Sequence, residues 1–165
     1  MTPPSPPLPS GASRGGLALT GPELIAWGRR MGAQAQPPLI IAMFGQLGAG
    51  KTTLAAAICA GYGVRDEVTS PTFALVHTYD APRSLVHHLD LYRLESPREL
   101  QNIGWDDVVA ANPLVIIEWP ERAGELLPEQ HIPIELRHPE GQGAEEPDRR
   151  VLYAGGHVGY RTGAR

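Results

Sequence analysis

Two short segments of the chain are continuously apolar, residues 39–44 and residues 114–117. Runs of this length, bounded by Pro, Gly or a charged residue, are typical of strands that are buried on both faces of a sheet. The first run is followed at once by a Gly-rich turn and then by residues 51–63, which are rich in strong helix formers and close with glycine. The pattern therefore predicts a strand, a loop and a helix in the order of a βα phosphate-binding unit.

Residues 73–79 and 84–92 have the composition of strands, and the turn-like residues 80–83 separate them, which predicts a β-hairpin. Because side chains alternate between the faces of a strand, one face of the second strand is expected to be polar enough to line a site: Val86, His88, Asp90 and Tyr92. The opposite face is expected to contain Leu85, His87, Leu89 and Leu91. His87 and His88 resemble half of a transition-metal site, but no cluster at ligand spacing completes it, and a structural role is favoured.

Capping patterns predict three further helices. Thr20 and Glu23 have the spacing of a capping box, so we expect a helix that begins after Thr20 and ends near Gly32. The Ser-Pro pair that opens residues 96–103 predicts the N-cap and the first residue of a short helix. Residues 106–111 predict another short helix, which a proline closes soon afterwards.

The two ends of the chain have weaker patterns. Strand signals lie at residues 131–137 and 150–154, and a loop rich in Gly, Glu and Pro joins them over residues 139–148. Residues 1–15 are rich in Pro, Ser and Gly, which predicts a disordered tail. Since a length of 165 residues fits one domain, we expect residues 16–165 to form a single domain.

Composition excludes several classes of protein. The single cysteine, Cys59, excludes an internal disulfide framework, and no run of about 18 apolar residues offers a membrane span. The N-terminus lacks the charged start and apolar stretch of a secretory signal, so we expect a soluble cytoplasmic protein without a membrane association. A net charge of −4 argues against a large nucleic-acid surface. Any role on nucleic acid is therefore expected to be reached through partner proteins.

The loop after the first apolar strand fits the P-loop pattern G-x4-G-K-[ST]. It consists of Gly45, Gln46, Leu47, Gly48, Ala49, Gly50, Lys51 and Thr52, followed by Thr53. The glycines let backbone N–H groups turn inward around phosphate oxygens, and the helix start adds the positive end of its dipole. Lys51 is the only lysine among the 14 lysines and arginines, and a compact ammonium suits the β and γ phosphates better than a planar guanidinium. We therefore expect ATP binding here, with the Thr52 hydroxyl as a Mg²⁺ ligand.

A P-loop also needs an acid that holds Mg²⁺ or its water, usually at the end of a neighbouring apolar strand. Glu118 directly follows the apolar run 114–117, and Asp90 is the other carboxylate placed after an extended segment. Taken alone, each acid is also explained as the solvated end of a strand. The sequence leaves open whether Glu118 is a metal ligand or a base that polarises water.

Two further features have both a functional and a structural interpretation. Residues 70–73, Ser-Pro-Thr-Phe, lie beyond the predicted helix, where nucleotide hydrolases often have a loop that senses the γ phosphate, so Thr72 is a candidate for contact with phosphate or Mg²⁺. The same residues are also typical of a simple turn. Trp119 and Trp105 can stack on adenine, although most tryptophans pack in the core.

Taken in order, the segments GQLGAGKTT, SPTFALVHTY, HHLDLYRL, the stretch 99–104 and LVIIEWPERAGELLP resemble the motif series of the TsaE family over about residues 17–155. The P-loop is shared by many nucleotide hydrolases, whereas the other segments at these spacings are far more specific. The chain departs from the family in its Pro-rich tail, in the long 139–148 loop, and in Gln46, where the family often has Asp.

The resemblance implies roles for individual residues. Thr52, Asp90 and Glu118 would surround Mg²⁺, and Lys51, Asp90 and Glu118 would take part in catalysis. The resemblance also places three residues near the nucleotide, with Thr72 in a mobile phosphate-sensing loop: Thr20, Thr72 and Trp119.

The implied fold is an α/β P-loop NTPase, a three-layer sandwich with a mixed, mainly parallel sheet that includes an antiparallel hairpin. The implied activity is Mg²⁺-dependent ATP hydrolysis, weak without partners, that supports turnover of a TsaB and TsaD complex. That complex forms N6-threonylcarbamoyladenosine at position 37 of ANN-decoding tRNAs, so tRNA would be met indirectly. No arginine is clearly poised as a finger, and Arg93 and Arg122 are only candidates.

Three other functions use a similar loop. A small-molecule kinase is the main alternative, but it needs an acceptor pocket and usually an arginine-bearing lid, and the sequence shows no lid segment with clustered arginines. A Ras-like GTPase requires a second lysine in its guanine-reading motif, and Lys51 is the only lysine. A nucleotide-dependent binding module with negligible catalysis is the third.

Overall fold

The computed structural model describes residues 16–71, 73–110, 112–139 and 149–154. Within them, seven strands form one sheet: β1 Leu17–Leu19, β2 Leu39–Phe44, β3 Val76–Tyr79, β4 Val86–Asp90, β5 Leu114–Glu118, β6 Ile132–Arg137 and β7 Arg150–Ala154. The helices are α1 Gly21–Gln34, α2 Lys51–Tyr62, α3 Glu99–Asn102 and α4 Trp105–Ala110, with a 3₁₀ segment at Pro120–Leu126. No helix in this described part of the chain is long and apolar enough to cross a membrane.

The strands lie in the order β1-β7-β6-β2-β5-β4-β3. The four central strands, β6, β2, β5 and β4, are parallel to one another. Both edges are antiparallel, through the predicted hairpin β3–β4 on one side and the pairs β6–β7 and β7–β1 on the other. The predicted α/β fold with a mixed sheet and an antiparallel hairpin is therefore confirmed.

The continuous apolar runs are explained by cores on both sides of the sheet. In β5, Ile116 belongs to a core that includes Trp27 of α1 and Ile58 of α2. The next residue, Ile117, belongs to a second core that includes Trp105 of α4. Because successive side chains of a strand point to opposite faces, a central strand with a core on each side is apolar at almost every position. The result is the expected three-layer sandwich.

Helices α1 and α2 cross with their backbones in close contact. A Cβ atom at Gly32 would lie 2.0 Å from the Ile58 carbonyl oxygen, and one at Gly61 would lie 2.0 Å from the Arg29 carbonyl oxygen. The helix was expected to end near Gly32, and it ends two residues later, at Gln34. Gly32 itself lies inside the helix, where the absence of a side chain permits close helix packing.

Other boundaries differ for local reasons. The short helix begins at Glu99, two residues later than predicted, although Ser96 makes the hydrogen bonds of an N-cap: its hydroxyl accepts from the Arg98 N–H and its own N–H donates to the Glu99 carboxylate. The helix predicted over 106–111 begins one residue earlier, at Trp105, and Ala111 lies outside the described residues. Strand β1 and the 3₁₀ segment were not predicted. The tail 1–15 and nearly all of the 139–148 loop also lie outside the described residues.

An arginine in the hairpin turn links the sheet edge to both helices. The Arg83 guanidinium donates to the Gly32 carbonyl oxygen at 2.9 Å and to the Ala35 carbonyl oxygen, and it stacks 4.2 Å from the centre of the Tyr62 ring. These carbonyls lie at the negative end of α1, so a cation there is favourable. The contact ties the hairpin, which includes His88 and Asp90, to the layer that includes the P-loop helix.

Substituting Gly32 by alanine is expected to lower the free energy of unfolding by about 3 kcal/mol, because the added methyl group overlaps a backbone carbonyl that cannot rotate away. Gly21→Ala in the first turn of the same helix is the matched control, since a Cβ there meets nothing within 4 Å. The control is expected to leave stability unchanged or to raise it by up to about 1 kcal/mol. Urea unfolding measures both, and equal stabilities would contradict the close crossing.

Candidate functional site

The P-loop lies between β2 and α2, where its glycines are required by geometry. Gly45 has a φ angle of 152°, and a Cβ atom there would lie 2.7 Å from the Leu136 carbonyl oxygen. Gly50 is the N-cap of α2 in the left-handed region, and it has no side chain to cap the helix. The N–H groups in the first turn of α2 are therefore directed toward the loop, as in anion-binding helix termini.

Lys51 is almost completely buried within this loop. Its side chain is 5% exposed, and its ammonium donates to the carbonyl oxygens of Gly45 at 2.6 Å and Gln46 at 2.8 Å. The ammonium also lies 4.2 Å from the centre of the Trp119 ring, within cation–π range. Burial lowers the pKa of Lys51, and the negative charge of Glu118 is the main influence that raises it again. The loop thus holds one cation at its centre.

Glu118 connects the P-loop helix to the sheet. Its Oε1 atom accepts from the Thr52 hydroxyl at 2.8 Å, and its Oε2 atom is 2.9 Å from Nε2 of His88. The Glu118 side chain is 2% exposed and that of His88 is 0% exposed. A hydrogen-bonded chain therefore runs from α2 through β5 to β4.

Asp90 ends the neighbouring strand at the same level as Glu118. The two residues are paired in the parallel register of β4 and β5. The Ser70 hydroxyl donates to Asp90 Oδ2 at 2.8 Å, and the Tyr92 N–H donates to Oδ1 at 3.0 Å. The structure thus brings together the two acids that the sequence had singled out, beside Thr52 at the start of α2.

The donor set suits a hard cation such as Mg²⁺. Carboxylate and hydroxyl oxygens of Asp90, Glu118 and Thr52 surround one cleft, and Mg²⁺ is usually held by one or two carboxylates together with phosphates and waters. Among the described residues, no three His, Cys, Asp and Glu side chains form a metal cluster of their own. His87 and His88 do not share a site, because His87 lies 2.9 Å from the Thr78 hydroxyl whereas His88 contacts Glu118.

Trp119 lies at the junction of two cavities. Its backbone is in the left-handed region at φ 57°, and its ring is tilted against Tyr92 with centroids 4.9 Å apart. On one side lies the P-loop cleft of about 380 Å³, and on the other a cavity of about 590 Å³ at the end of β6, here called the β6 cavity. Trp105, by contrast, is buried and donates to the Leu126 carbonyl oxygen, so its packing interpretation is confirmed.

The sequence-predicted site residues divide between these two cavities. The P-loop cleft is lined by Gly48, Gly50, Lys51, Thr52, Thr53 and both acids, and the β6 cavity by Gly45 and Gln46. Leu47 and Trp119 line both, whereas Ala49 is buried beneath the loop. Thr20 caps α1 through its hydroxyl and lines neither of the two. Thr72 lies outside the described residues.

The contacts of three residues at the site were not predicted from the sequence. Ser70 fixes Asp90, His88 contacts Glu118, and Arg150 of β7 donates to the carbonyl oxygens of Ala49 at 3.1 Å and Gly48 at 3.3 Å. The alternation in β4 had placed His88 on the polar face, so a signal for it was present. Arg150 is 101 residues from Ala49 along the chain, and no local pattern indicates that contact.

Comparisons of the sequence with a family profile and with known proteins agree on one family. The sequence profile of the family described as threonylcarbamoyl adenosine biosynthesis protein TsaE matches residues 20–150. A Treponema pallidum protein named tRNA threonylcarbamoyladenosine biosynthesis protein TsaE is 36% identical over 111 residues, which cover 67% of this chain and 82% of the relative. A Haemophilus influenzae protein of the same name is 38% identical over 98 residues, covering 59% of this chain and 62% of the relative.

A solved structure has a similar fold. The crystal structure of YdiB from Bacillus subtilis superposes with a TM-score of 0.62 and covers 87% of this chain and 88% of that chain. The two sequences are 22% identical. This likeness supports the fold described above.

Proposed function

Because the chain belongs to the TsaE family of threonylcarbamoyl adenosine biosynthesis proteins, we propose that it is a Mg²⁺-dependent ATPase of tRNA modification. Its hydrolysis of ATP would support turnover of a TsaB and TsaD complex that forms N6-threonylcarbamoyladenosine at position 37 of ANN-decoding tRNAs. The observation that carries the proposal is the meeting of Lys51, Thr52, Asp90 and Glu118 in one cleft at the start of α2.

The P-loop supplies the groups that a triphosphate requires. The first-turn N–H groups of α2 and the inward-facing loop backbone bind phosphate oxygens. The Lys51 ammonium is already held by two carbonyls and shielded from water, so its charge acts strongly on a phosphate nearby. Water attacks the γ phosphorus in line with the leaving ADP oxygen, and Lys51 stabilises the charge that develops on the phosphate oxygens.

Thr52, Asp90 and Glu118 are the residues that would hold Mg²⁺. When bound, Mg²⁺ neutralises charge on the β and γ phosphates. Glu118 has a second possible role, as the base that polarises the attacking water. Its position at the end of an apolar strand, with a neighbouring carboxylate in register, suits either role.

The β6 cavity is the proposed site of the nucleoside. Its volume of about 590 Å³ falls within the roughly 300–1,000 Å³ of ligand pockets, and it adjoins the P-loop cleft at Leu47 and Trp119. Polar side chains of Gln46 and Glu121 and the aromatic ring of Trp119 line it. A base can therefore stack and be hydrogen-bonded there while its phosphates reach α2.

An exposed apolar rim supports the proposed action with partners. Leu47 and Tyr92, which line the cleft, are 70% and 43% exposed, and Phe73, which follows Ser70 in the chain by three residues, is 91% exposed. Exposed apolar groups around a polar site are typical of interaction surfaces. Arg93 stacks on Phe73 at 5.2 Å and does not line the cleft in the described structure. A partner that covers this rim would then reorganise the site, and hydrolysis without it is expected to be slow.

Lys51→Ala is expected to remove most of the affinity for ATP, because the ammonium would contact the phosphates. The sheet and its two cores are expected to remain intact, because the contacts of the ammonium are with the P-loop and Trp119. Lys51→Arg is expected to fail nearly as badly, since a planar guanidinium does not fit within the loop. Titration with a fluorescent ATP analogue measures both, with Arg98→Ala on the surface of the short-helix segment as the control. An arginine variant that binds as tightly as the parent would contradict this account of the single lysine.

Asp90→Asn and Glu118→Gln are each expected to retain measurable ATP binding but to lower hydrolysis by about 10²-fold or more, because each removes charge at the metal or the water without emptying the phosphate site. Phosphate release at saturating ATP measures the effect. Asp106→Asn, an exposed acid of α4, is the matched control. Parental activity in both variants would show that these acids only end their strands and have no role in hydrolysis. A loss in Glu118→Gln alone would show that Asp90 has no role in the mechanism.

Modification of tRNA is expected only when the partner proteins TsaB and TsaD are present. Threonylcarbamoyladenosine formation on tRNA is measured with TsaB and TsaD plus the parent protein, Lys51→Ala or neither. Multiple turnover is expected to require the parent and hydrolysable ATP, whereas a first round can survive without them. Equal sustained modification in all three mixtures would overturn the tRNA assignment, and ATP-dependent phosphorylation of a small acceptor would favour the kinase alternative.

A further inference from the structure

His88 is a fully buried polar residue at a position that packing alone does not explain. It lies on β4 between Val86 and Asp90, on the sheet face that is covered by α1 and α2, and it pairs in register with Ile116 of β5. Val86 and Ile116 are apolar and fully buried. An aliphatic residue at position 88 would continue this core.

The imidazole is retained at an energetic cost. Its Nε2 atom is bonded to Glu118, but its Nδ1 atom is buried and has no hydrogen-bond partner among the described residues. A buried polar atom without a partner costs about 1–3 kcal/mol. The hydrogen bond from Nε2 to Glu118 is therefore the contact that explains why a histidine, and not an aliphatic residue, lies at position 88.

That hydrogen bond determines the orientation of the two oxygens of the Glu118 carboxylate. With Oε2 held by the Nε2–H of His88, Oε1 is directed to the Thr52 hydroxyl at the start of α2. Without the imidazole, Oε2 would be a buried carboxylate oxygen with no donor, and the carboxylate would turn to find one. Donors behind a functional carboxylate orient it, and their loss typically lowers activity 10- to 100-fold.

We propose that His88 is a positioning residue, which fixes the carboxylate of Glu118 in the orientation that presents Oε1 to Thr52 and the P-loop cleft. The role rests on the proposed ATPase function for its effect on turnover, but not for its effect on geometry. His88 itself does not line the cleft in the described structure and acts only through Glu118.

The kinetic test uses three substitutions at position 88. His88→Leu removes the donor, His88→Asn keeps an amide too short to reach Oε2, and His88→Gln extends an amide N–H toward the place of Nε2. At saturating ATP, kcat is expected to fall about 10- to 100-fold in His88→Leu and His88→Asn, with KM for ATP changed less than about threefold, and to recover at least partly in His88→Gln. A fall in kcat of the same size in all three variants would overturn the proposal.

A double-mutant cycle tests whether His88 acts through Glu118. In the Glu118→Gln background, His88→Asn is expected to cause no further loss of kcat, because the carboxylate to be oriented is already absent. If the loss were as large as in the parent background, His88 would act independently of Glu118 and the proposal would fail.

Crystal structures of the ligand-free variants give a test without activity. The distance from Glu118 Oε1 to Thr52 Oγ1 is expected to stay near the parental 2.8 Å in His88→Gln and to lengthen beyond hydrogen-bonding range in His88→Asn. An unchanged contact in His88→Asn would overturn the proposal. A parent protein with no ATPase activity, alone or with TsaB and TsaD, would instead overturn the proposed function, and the crystal structures would still decide the role of His88.

Discussion

The arrangement of the site depends on one buried positive charge, the ammonium group of Lys51. A charge removed from water must be compensated by nearby dipoles and opposite charges. Here the carbonyl oxygens of Gly45 and Gln46, the face of Trp119 and the carboxylates of Glu118 and Asp90 provide that compensation. Each of these groups comes from a segment at the carboxyl end of a central strand, so the charge can be held only where those strands end together.

The parallel sheet provides this meeting point. Because β2, β5 and β4 are parallel and in register, Glu118 and Asp90 end their strands at one level, paired with Met43, the last but one residue of β2. Because side chains alternate along a strand, Glu118, Asp90 and His88 point toward the face of the sheet covered by α1 and α2, and not toward the core on the face covered by α3 and α4. The chain of contacts from His88 through Glu118 to Thr52 makes the start of α2 part of the same rigid unit as the sheet.

Contacts distant from the cleft hold this unit in place. The close crossing of α1 and α2 at Gly32 and Gly61 sets the position of the P-loop helix against its neighbour. Arg83 ties the hairpin edge to α1, and Arg150 ties the opposite side of the sheet to the outer carbonyls of the P-loop. The site therefore depends on residues from both sides of the sheet, Arg83 in the β3–β4 turn and Arg150 on β7. Leu47, which lines the cleft, remains exposed to solvent.

The sequence by itself determined the features that depend on neighbours along the chain. The P-loop, the two continuous central strands, the capping box at Thr20 and the hairpin follow from local spacing, and the structure contains each of them. The predicted roles of Thr72 and Thr20 at the nucleotide remain predictions. The close helix crossing at Gly32 was not predicted, because a glycine near a helix end and a glycine that permits a close crossing look alike in the sequence. Only the tertiary structure decided that Asp90 and Glu118 lie in register, that His88 contacts Glu118 and that Arg150 donates to the P-loop carbonyls. These contacts depend on strand order, which joins residues that no local pattern connects.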